Sequence, residues 1–441
     1  MGRTFMAVSS TSSTSSRTFL DLSAYQWTVL FAAWLGWGFD IFDSLLFNYV
    51  APNCIPTLLS ITHGTPAAKS ATLVWTGLIT SLLLVGWGLG GIAFGRVTDK
   101  IGRSKTLLLT MIVYSLGTAA CAFAPNVWVL MLFRFVASIG IGGEWAAGAA
   151  MVAEVVPEKR RVEAGVWLYT AAPFGLFAAT FATYAIAKAF PDPTQSWRYV
   201  FLCGLIPAII AFGVRAFVKE PERWQRIAQN SAPPRISELF SPTLLRRTLG
   251  GLLMAMMALL SWWSCNAFLP VVATALAEGD KVLAETLKAR ATSAFNLGGL
   301  IGVLSTIPFA KRLGRRVMFG LYFAVGALAV YTTFGMGWPA ETRVLLVFFV
   351  GLTIFGIFGA FTFYLPELFP TRLRGTGAGF CYNFGRFLAS GGPFLVGYIA
   401  SQGKNALPAA LGALTLTATF PLVGALLSPF IVETRGLELE D

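Results

Sequence analysis

The sequence predicts an all-α membrane protein in which twelve transmembrane helices form two six-helix repeats. Three observations predict it. Hydrophobic residues make up 56% of the 441 and charged residues 12%, about half the charged share of a soluble globular chain. Apolar runs of about 20 residues or more, long enough to cross hydrocarbon, recur along the chain. The chain also repeats itself. Glu154-Val155-Val156-Pro157 with Arg161 reads E-x-x-P-x-x-x-R, and Glu367-Leu368-Phe369-Pro370 with Arg374 reads the same, 213 positions later. Gly102-Arg103 recurs as Gly314-Arg315 and Glu220 as Glu433, at offsets of 212 and 213. One offset, near half the chain, means two copies of one design. A repeated membrane-embedded chain of this kind is most economically a transporter with its site between the halves.

Each element follows in order. Residues 1–22 are Ser/Thr-rich and lack an apolar core followed by a cleavage site, so they read as a disordered cytoplasmic tail. The N-terminal bundle, 23–218, holds spans near 24–50, 74–97, 106–124, 127–155, 163–189 and 197–217. A Pro- and Arg-containing stretch, 219–245, is the linker. The C-terminal bundle, 246–441, holds spans near 248–276, 288–310, 318–337, 342–366, 376–400 and 406–432. These must be helices, because lipid cannot satisfy exposed backbone groups. Several exceed the thickness of the hydrocarbon, so they are expected to tilt or to extend beyond it.

Loop charge sets the orientation. Arg96, Lys100, Arg103 and Lys105 follow span 2; Lys159, Arg160 and Arg161 follow span 4; Lys311, Arg312, Arg315 and Arg316 follow span 8. The linker is basic as well, and the loop after span 3 has no Lys or Arg. Both termini are therefore expected in the cytoplasm of a cell-membrane protein. The net charge of +12 is this topology signal, and nucleic-acid binding is not expected. The five cysteines are odd in number and mostly within apolar runs, so they read as packing. His63 has no partner for a metal or catalytic site. Gly86-x-Gly88-x-Gly90-Gly91 lies inside an apolar span with no strand before it, so it reads as helix packing. There is no phosphate-binding G-x-x-x-x-G-K-[ST] loop, so ATP drive is not expected, and no catalytic cluster marks an enzyme.

Charges inside spans are costly and usually face a cavity or a partner. Asp40 and Asp43, three apart, share a face of span 1. A rise of about 1.5 Å per residue puts both, and Arg134 of span 4, in the outer half of the membrane. Two acids against one Arg leave a surplus carboxyl, and burial and a neighbouring carboxylate both favour its protonated form. That is a proton-coupling site; the alternative is a static pair that orders spans 1 and 4. Glu144, ten residues beyond Arg134, reads either as a second carboxyl on the proton path or as a helix contact.

Arg386 lies near mid-bilayer in span 11, with Asn383 and Tyr382 on the same face and no acid in that span. A buried guanidinium needs an anion, and a carboxylate fits its fork. The substrate is the expected anion; a cross-helix partner such as Asp40 or Glu144 is the alternative. Asn266 and Asn296 are secondary polar candidates. Trp34, Trp37, Trp262 and Trp263 are candidates for the cavity wall, although aromatics in spans more often pack.

Gly95-Arg96-Val97-Thr98-Asp99-Lys100-Ile101-Gly102-Arg103-Ser104-Lys105 resembles the signature loop of the major facilitator superfamily, with Ser104 a mild departure. Its second copy, Lys311-Arg312-Leu313-Gly314-Arg315-Arg316, has Lys311 where an acid would sit. Arg134 to Trp145 resembles the fourth span of the sialate- and lactate-type proton symporters. Lys219 to Trp224, Val432 to Gly436 and the stretch after span 10 are similar to sugar porters and organic-ion carriers. The resemblance covers essentially the whole chain and implies the major facilitator fold. It also implies that Asp99, Arg103, Glu154 and Arg161, with Glu367 and Arg374 opposite, form a conformational latch: charges that pair in one state and part in the other. The expected function is proton-coupled import of a small organic anion by alternating access. A monocarboxylate such as lactate or a sugar acid such as sialic acid is favoured. An aromatic acid is the alternative, then a sugar or organic ion. No cofactor beyond protons is expected, and the carrier is expected to be a monomer in the bilayer.

Overall fold

The computed structural model describes residues 22–63, 65–192, 194–215, 219–220, 224–225, 234–276, 281–392 and 406–437. Residues 1–21 of the expected tail, much of the linker and the end of span 11 lie outside them. The described residues are helical throughout, without strands. Nine of their helical stretches are long and apolar enough to cross a membrane.

Span 1, Ala24–Leu58, starts at a capping box: Gln26 N–H donates to Ser23 Oγ (3.2 Å) and Ser23 N–H to Gln26 Oε1 (2.9 Å). Span 2, Pro66–Ile101, starts behind Thr65 with proline in its first turn. Both outrun their expected ends, because hydropathy marks where lipid stops, whereas a helix continues in water once each residue adds its own backbone bond. Spans 3 and 4 are Arg103–Cys121 and Val127–Val155. Span 5 comprises Arg161–Tyr169 and Ala171–Ala189, and span 6 comprises Ser196–Leu202 and Leu205–Arg215.

In the second half, span 7 is Leu245–Ala275. Spans 8 and 9 lie within Lys281–Gly335 and divide at Gly314. Span 10 runs Ala340–Val350, then a π-helical turn at Gly351–Phe355, then Phe358–Glu367. Span 11 is Arg374–Ala389, and span 12 comprises Ala406–Leu416 and Thr419–Leu427.

The repeat read in the sequence is a repeat in space. Gly102 (φ 108°) turns the chain between spans 2 and 3, and Gly314 (φ 82°) does so between spans 8 and 9. Only glycine takes such angles without strain. An acid from elsewhere then caps each following helix. Glu220 accepts from the amides of Ser104 (3.1 Å) and Lys105 (3.0 Å), and Glu433 from those of Arg315 (2.9 Å) and Arg316 (3.1 Å). Carboxylates belong at helix N-termini, where free amides and the dipole meet them.

The halves meet closely where the basic loops lie, here called the basic end. Span 2 packs on span 11 through a glycine face. A Cβ on Gly91 would fall 2.0 Å from the Asn383 carboxamide, and one on Gly95 would fall 2.7 Å from the Gly375 carbonyl. In span 4, a Cβ on Gly142 would lie 2.1 Å from the Trp87 carbonyl, so this face needs glycine to touch span 2.

Candidate functional site

At the basic end the expected latch residues are together, and their pairing crosses between halves. Asp99 accepts from the amides of Gly375 (3.1 Å) and Thr376 (2.6 Å) and from the Thr376 hydroxyl (2.7 Å), so it caps span 11. Arg103 binds Asp99 at 3.1 Å and grips Glu154 with two donors, at 2.8 and 3.2 Å. It also donates to the Thr371 carbonyl at 3.0 Å. Arg374, from the other half, reaches the same Glu154 at 3.0 Å. The mirror set repeats this. Arg315 grips Glu367 at 2.9 and 3.3 Å, and Arg161 approaches Glu367 at 3.6 Å.

The acid missing from the second loop has a replacement. Lys311 ion-pairs with Glu163, in the first turn of span 5. The sequence marked Lys311 only as a departure from the signature and did not mark its partner. Arg315 and Glu163 were not among the expected site residues; the repeat of Gly-Arg was the signal for the first, and nothing local marked the second.

Deeper in, the carboxyls of span 1 divide their roles. Asp43 accepts from the Thr118 hydroxyl (2.6 Å) and lies 3.8 Å from Arg134. Arg134 also donates to Thr118 Oγ1 (3.1 Å) and to the carbonyls of Asp43 (3.3 Å) and Ser44 (3.2 Å). Asp43 and Arg134 are thus paired within the first half, although Asp43 Oδ1 and Arg134 Nε have no hydrogen-bond partner among the described residues. Asp40 is the surplus carboxyl: it is fully buried, and neither of its oxygens has a hydrogen-bond partner among the described residues. Glu144, Arg386 and Asp43 are its charged neighbours. Glu144 accepts from Thr110 at 2.8 Å and rests on Gly36, where a Cβ would meet its Oε1 at 2.0 Å.

Between the halves, on the side of these groups away from the basic end, lies a cavity of about 140 Å³. Arg386 lines it. Among the described residues no carboxylate lies within ion-pair distance of this guanidinium. Instead it stands 4.0 Å from the centre of the Trp87 ring and 4.7 Å from that of Tyr382. Asn266, Asn296 and Tyr382 line the cavity as well.

Asn383 does not. It is fully buried, and its carboxamide sits in the gap left by Gly91 and accepts from Arg386 Nη1 at 2.6 Å. Expected as a substrate contact, Asn383 here lies against span 2 and holds Arg386, a positioning contact. Trp37, Trp262 and Trp263 wall the cavity; Trp34 instead donates to Thr170 at 3.0 Å and packs on Phe174. Four further aromatics, Trp87, Tyr169, Phe355 and Phe358, complete the wall. They come from spans 2, 5 and 10, and no spacing along the chain announces them. Tyr382 stacks on Trp145 at 4.2 Å, closing the cavity towards the basic end.

Comparison with known proteins agrees with this architecture. The chain is 30% identical to a probable 4-methylmuconolactone transporter of Cupriavidus pinatubonensis, over 95% of this chain and 93% of that one. It is 27% identical to a gentisate transporter of Corynebacterium glutamicum, covering 84% of this chain and 81% of the relative. A sialic acid transporter of Escherichia coli is 26% identical, covering 85% and 88%. Among solved structures, the proton:xylose symporter XylE superimposes with a TM-score of 0.73 at 19% identity, covering 94% of this chain and 98% of that one. These relatives are named as transporters, in line with the expectation of a carrier and not an enzyme. The profile described as Major Facilitator Superfamily matches residues 27–393, and the chain belongs to that superfamily.

Proposed function

We propose that this carrier moves a small organic anion bearing an unsaturated or aromatic ring, together with protons, by alternating access. The observation that carries the reading is Arg386: a buried guanidinium with no carboxylate partner among the described residues, set in an apolar wall rich in aromatic rings. The guanidinium suits a carboxylate, and the flat walls suit a ring face. The relatives named for 4-methylmuconolactone and gentisate favour this over lactate. A sugar acid is the second reading, favoured by the sialic acid transporter and by the polar positions Asn266, Thr292 and Asn296.

Asp40 is the proposed proton carrier. It is buried, has no hydrogen-bond partner among the described residues and neighbours Arg386, so its charge and the substrate's charge act on the same guanidinium. The excess of Lys and Arg in the basic loops supports termini in the cytoplasm, and on that orientation the closed end is the inner one.

The test is calorimetric binding of benzoate, gentisate and sialic acid to detergent-purified protein, with benzamide as the neutral control. Arg386→Ala is expected to weaken binding of the preferred acid by roughly ten- to a hundredfold, the worth of a buried charge-assisted bond. Arg386→Lys keeps the charge but loses the fork, and falls between. Undiminished acid binding by a folded Arg386→Ala overturns the anion site. Preference for sialic acid over both ring acids replaces the first substrate reading with the second.

A further inference from the structure

A second cavity, of about 370 Å³, lies outside the transport path, between the start of span 7 and the end of span 12. Leu249, Leu253, Leu427 and Phe430 line it, and Arg246 stands at its mouth. We propose that this groove binds one acyl chain of an anionic phospholipid, with Arg246 holding the headgroup phosphate.

Three observations support that occupant. The first is length. From Leu245 to Met254 the groove follows about 14 Å of helix at 1.5 Å per residue, close to the depth of one leaflet of a hydrocarbon core about 30 Å thick. The second is chemistry. The floor and walls are aliphatic or aromatic, and Leu249 and Phe430 are 42% and 70% exposed, so the groove faces outward, towards lipid. The third is charge. Arg246 is exposed, and no carboxylate pairs with it among the described residues. Its Nη2 lies 3.4 Å from the Phe430 carbonyl, which keeps the guanidinium over the groove's lip. The groove opens at the basic end, where basic side chains favour anionic headgroups. A zwitterionic lipid offers the same phosphate but brings its own ammonium beside the arginine, so its net attraction is weaker.

The experiment is native mass spectrometry of the full chain in detergent, with palmitoyl-oleoyl phosphatidylglycerol and the phosphatidylcholine of the same chains at equal concentrations. Wild type is expected to retain phosphatidylglycerol about fivefold better, since one basic side chain beside an anionic lipid is worth about 1 kcal/mol. Arg246→Gln should abolish that preference. Arg312→Gln, at the same end but outside the groove, should leave it intact. Gly250→Leu fills the groove, where an added Cβ makes only ordinary contact with Ile431 at 3.6 Å, and should reduce retention of both lipids. Thermal melts confirm that each variant is folded. Equal retention of the two lipids by wild type overturns the proposal, as does an equal loss of preference in Arg312→Gln, which would mean diffuse surface charge. Competition by glycerol phosphate as strong as by the whole lipid would show that the groove plays no part.

Discussion

Arg374 of the second half is ion-paired at 3.0 Å with Glu154 of the first, while Arg161 of the first half faces Glu367 of the second at 3.6 Å. Each copy of the repeated motif therefore lends its arginine to the other copy's glutamate. Within its own half each glutamate is held by the loop arginine, Arg103 or Arg315. Four arginines on two carboxylates in buried surroundings stabilise one arrangement of the halves, because parting them leaves charges uncompensated.

Opening of the basic end should respond to this network. Glu154→Gln, in protein that also carries Gly148→Cys as a reporter, should raise the rate of thiol labelling at position 148 by about tenfold or more; about 1.4 kcal/mol lost from the closed state suffices. A Cβ at Gly148 finds room, 3.7 Å from Ala33. Glu154→Gln with Glu367→Gln should exceed either alone. Labelling that stays at the parent rate in the double variant would remove the latch from the mechanism.

The two span-1 carboxyls should separate by experiment. Asp40→Asn removes a group without hydrogen-bond partners among the described residues, so the protein should remain stable while uphill, pH-driven uptake into proteoliposomes is lost. Substrate exchange, which needs no net proton movement, should survive. Asp43→Asn instead leaves Arg134 buried beside a neutral partner, and should cost about 3–5 kcal/mol of stability. A lower melting temperature in Asp43→Asn than in Asp40→Asn is the expected order. Retained uphill uptake in Asp40→Asn would move the proton to another group.

Gly314→Ala should destabilise the second half. The residue would have to adopt φ 82°, and its Cβ would lie 2.6 Å from Glu433 Oε2. The strain amounts to about 1–2 kcal/mol, and displacement of the capping carboxylate adds to it. A fall in melting temperature, shared by Gly102→Ala against Glu220, is the measurement. Melting at the wild-type temperature in both would mean that the loops relax without these contacts.

Much of this was legible in the sequence, for reasons that differ by residue. The offsets of Glu154, Gly102 and Glu220 found the symmetry because duplicated geometry keeps duplicated residue types. Asp40, Asp43 and Arg386 stood out because charge is rare where lipid surrounds the chain. The sequence could not divide Asp40 from Asp43: their roles depend on Thr118 and Arg134, which reach only one of them. Helical spacing put Asn383 on the face of Arg386 but could not show that the glycine opposite, Gly91, leaves a gap that its carboxamide occupies. The aromatic wall was only partly found, because Trp87, Tyr169 and Phe355 converge from separate helices.

The seat of Asn383 against Gly91 has one more consequence. Its carboxamide touches span 2 on one side and steadies Arg386 on the other. Asp99 of span 2 holds the start of the same helix that carries both. Sliding of span 11 along span 2 as the basic end parts would pull the carboxamide from its slot and loosen the guanidinium. The anion would then be held more weakly on the side where it must leave. On the proposed function, release would then be coupled to the gate's own movement and would need no separate trigger.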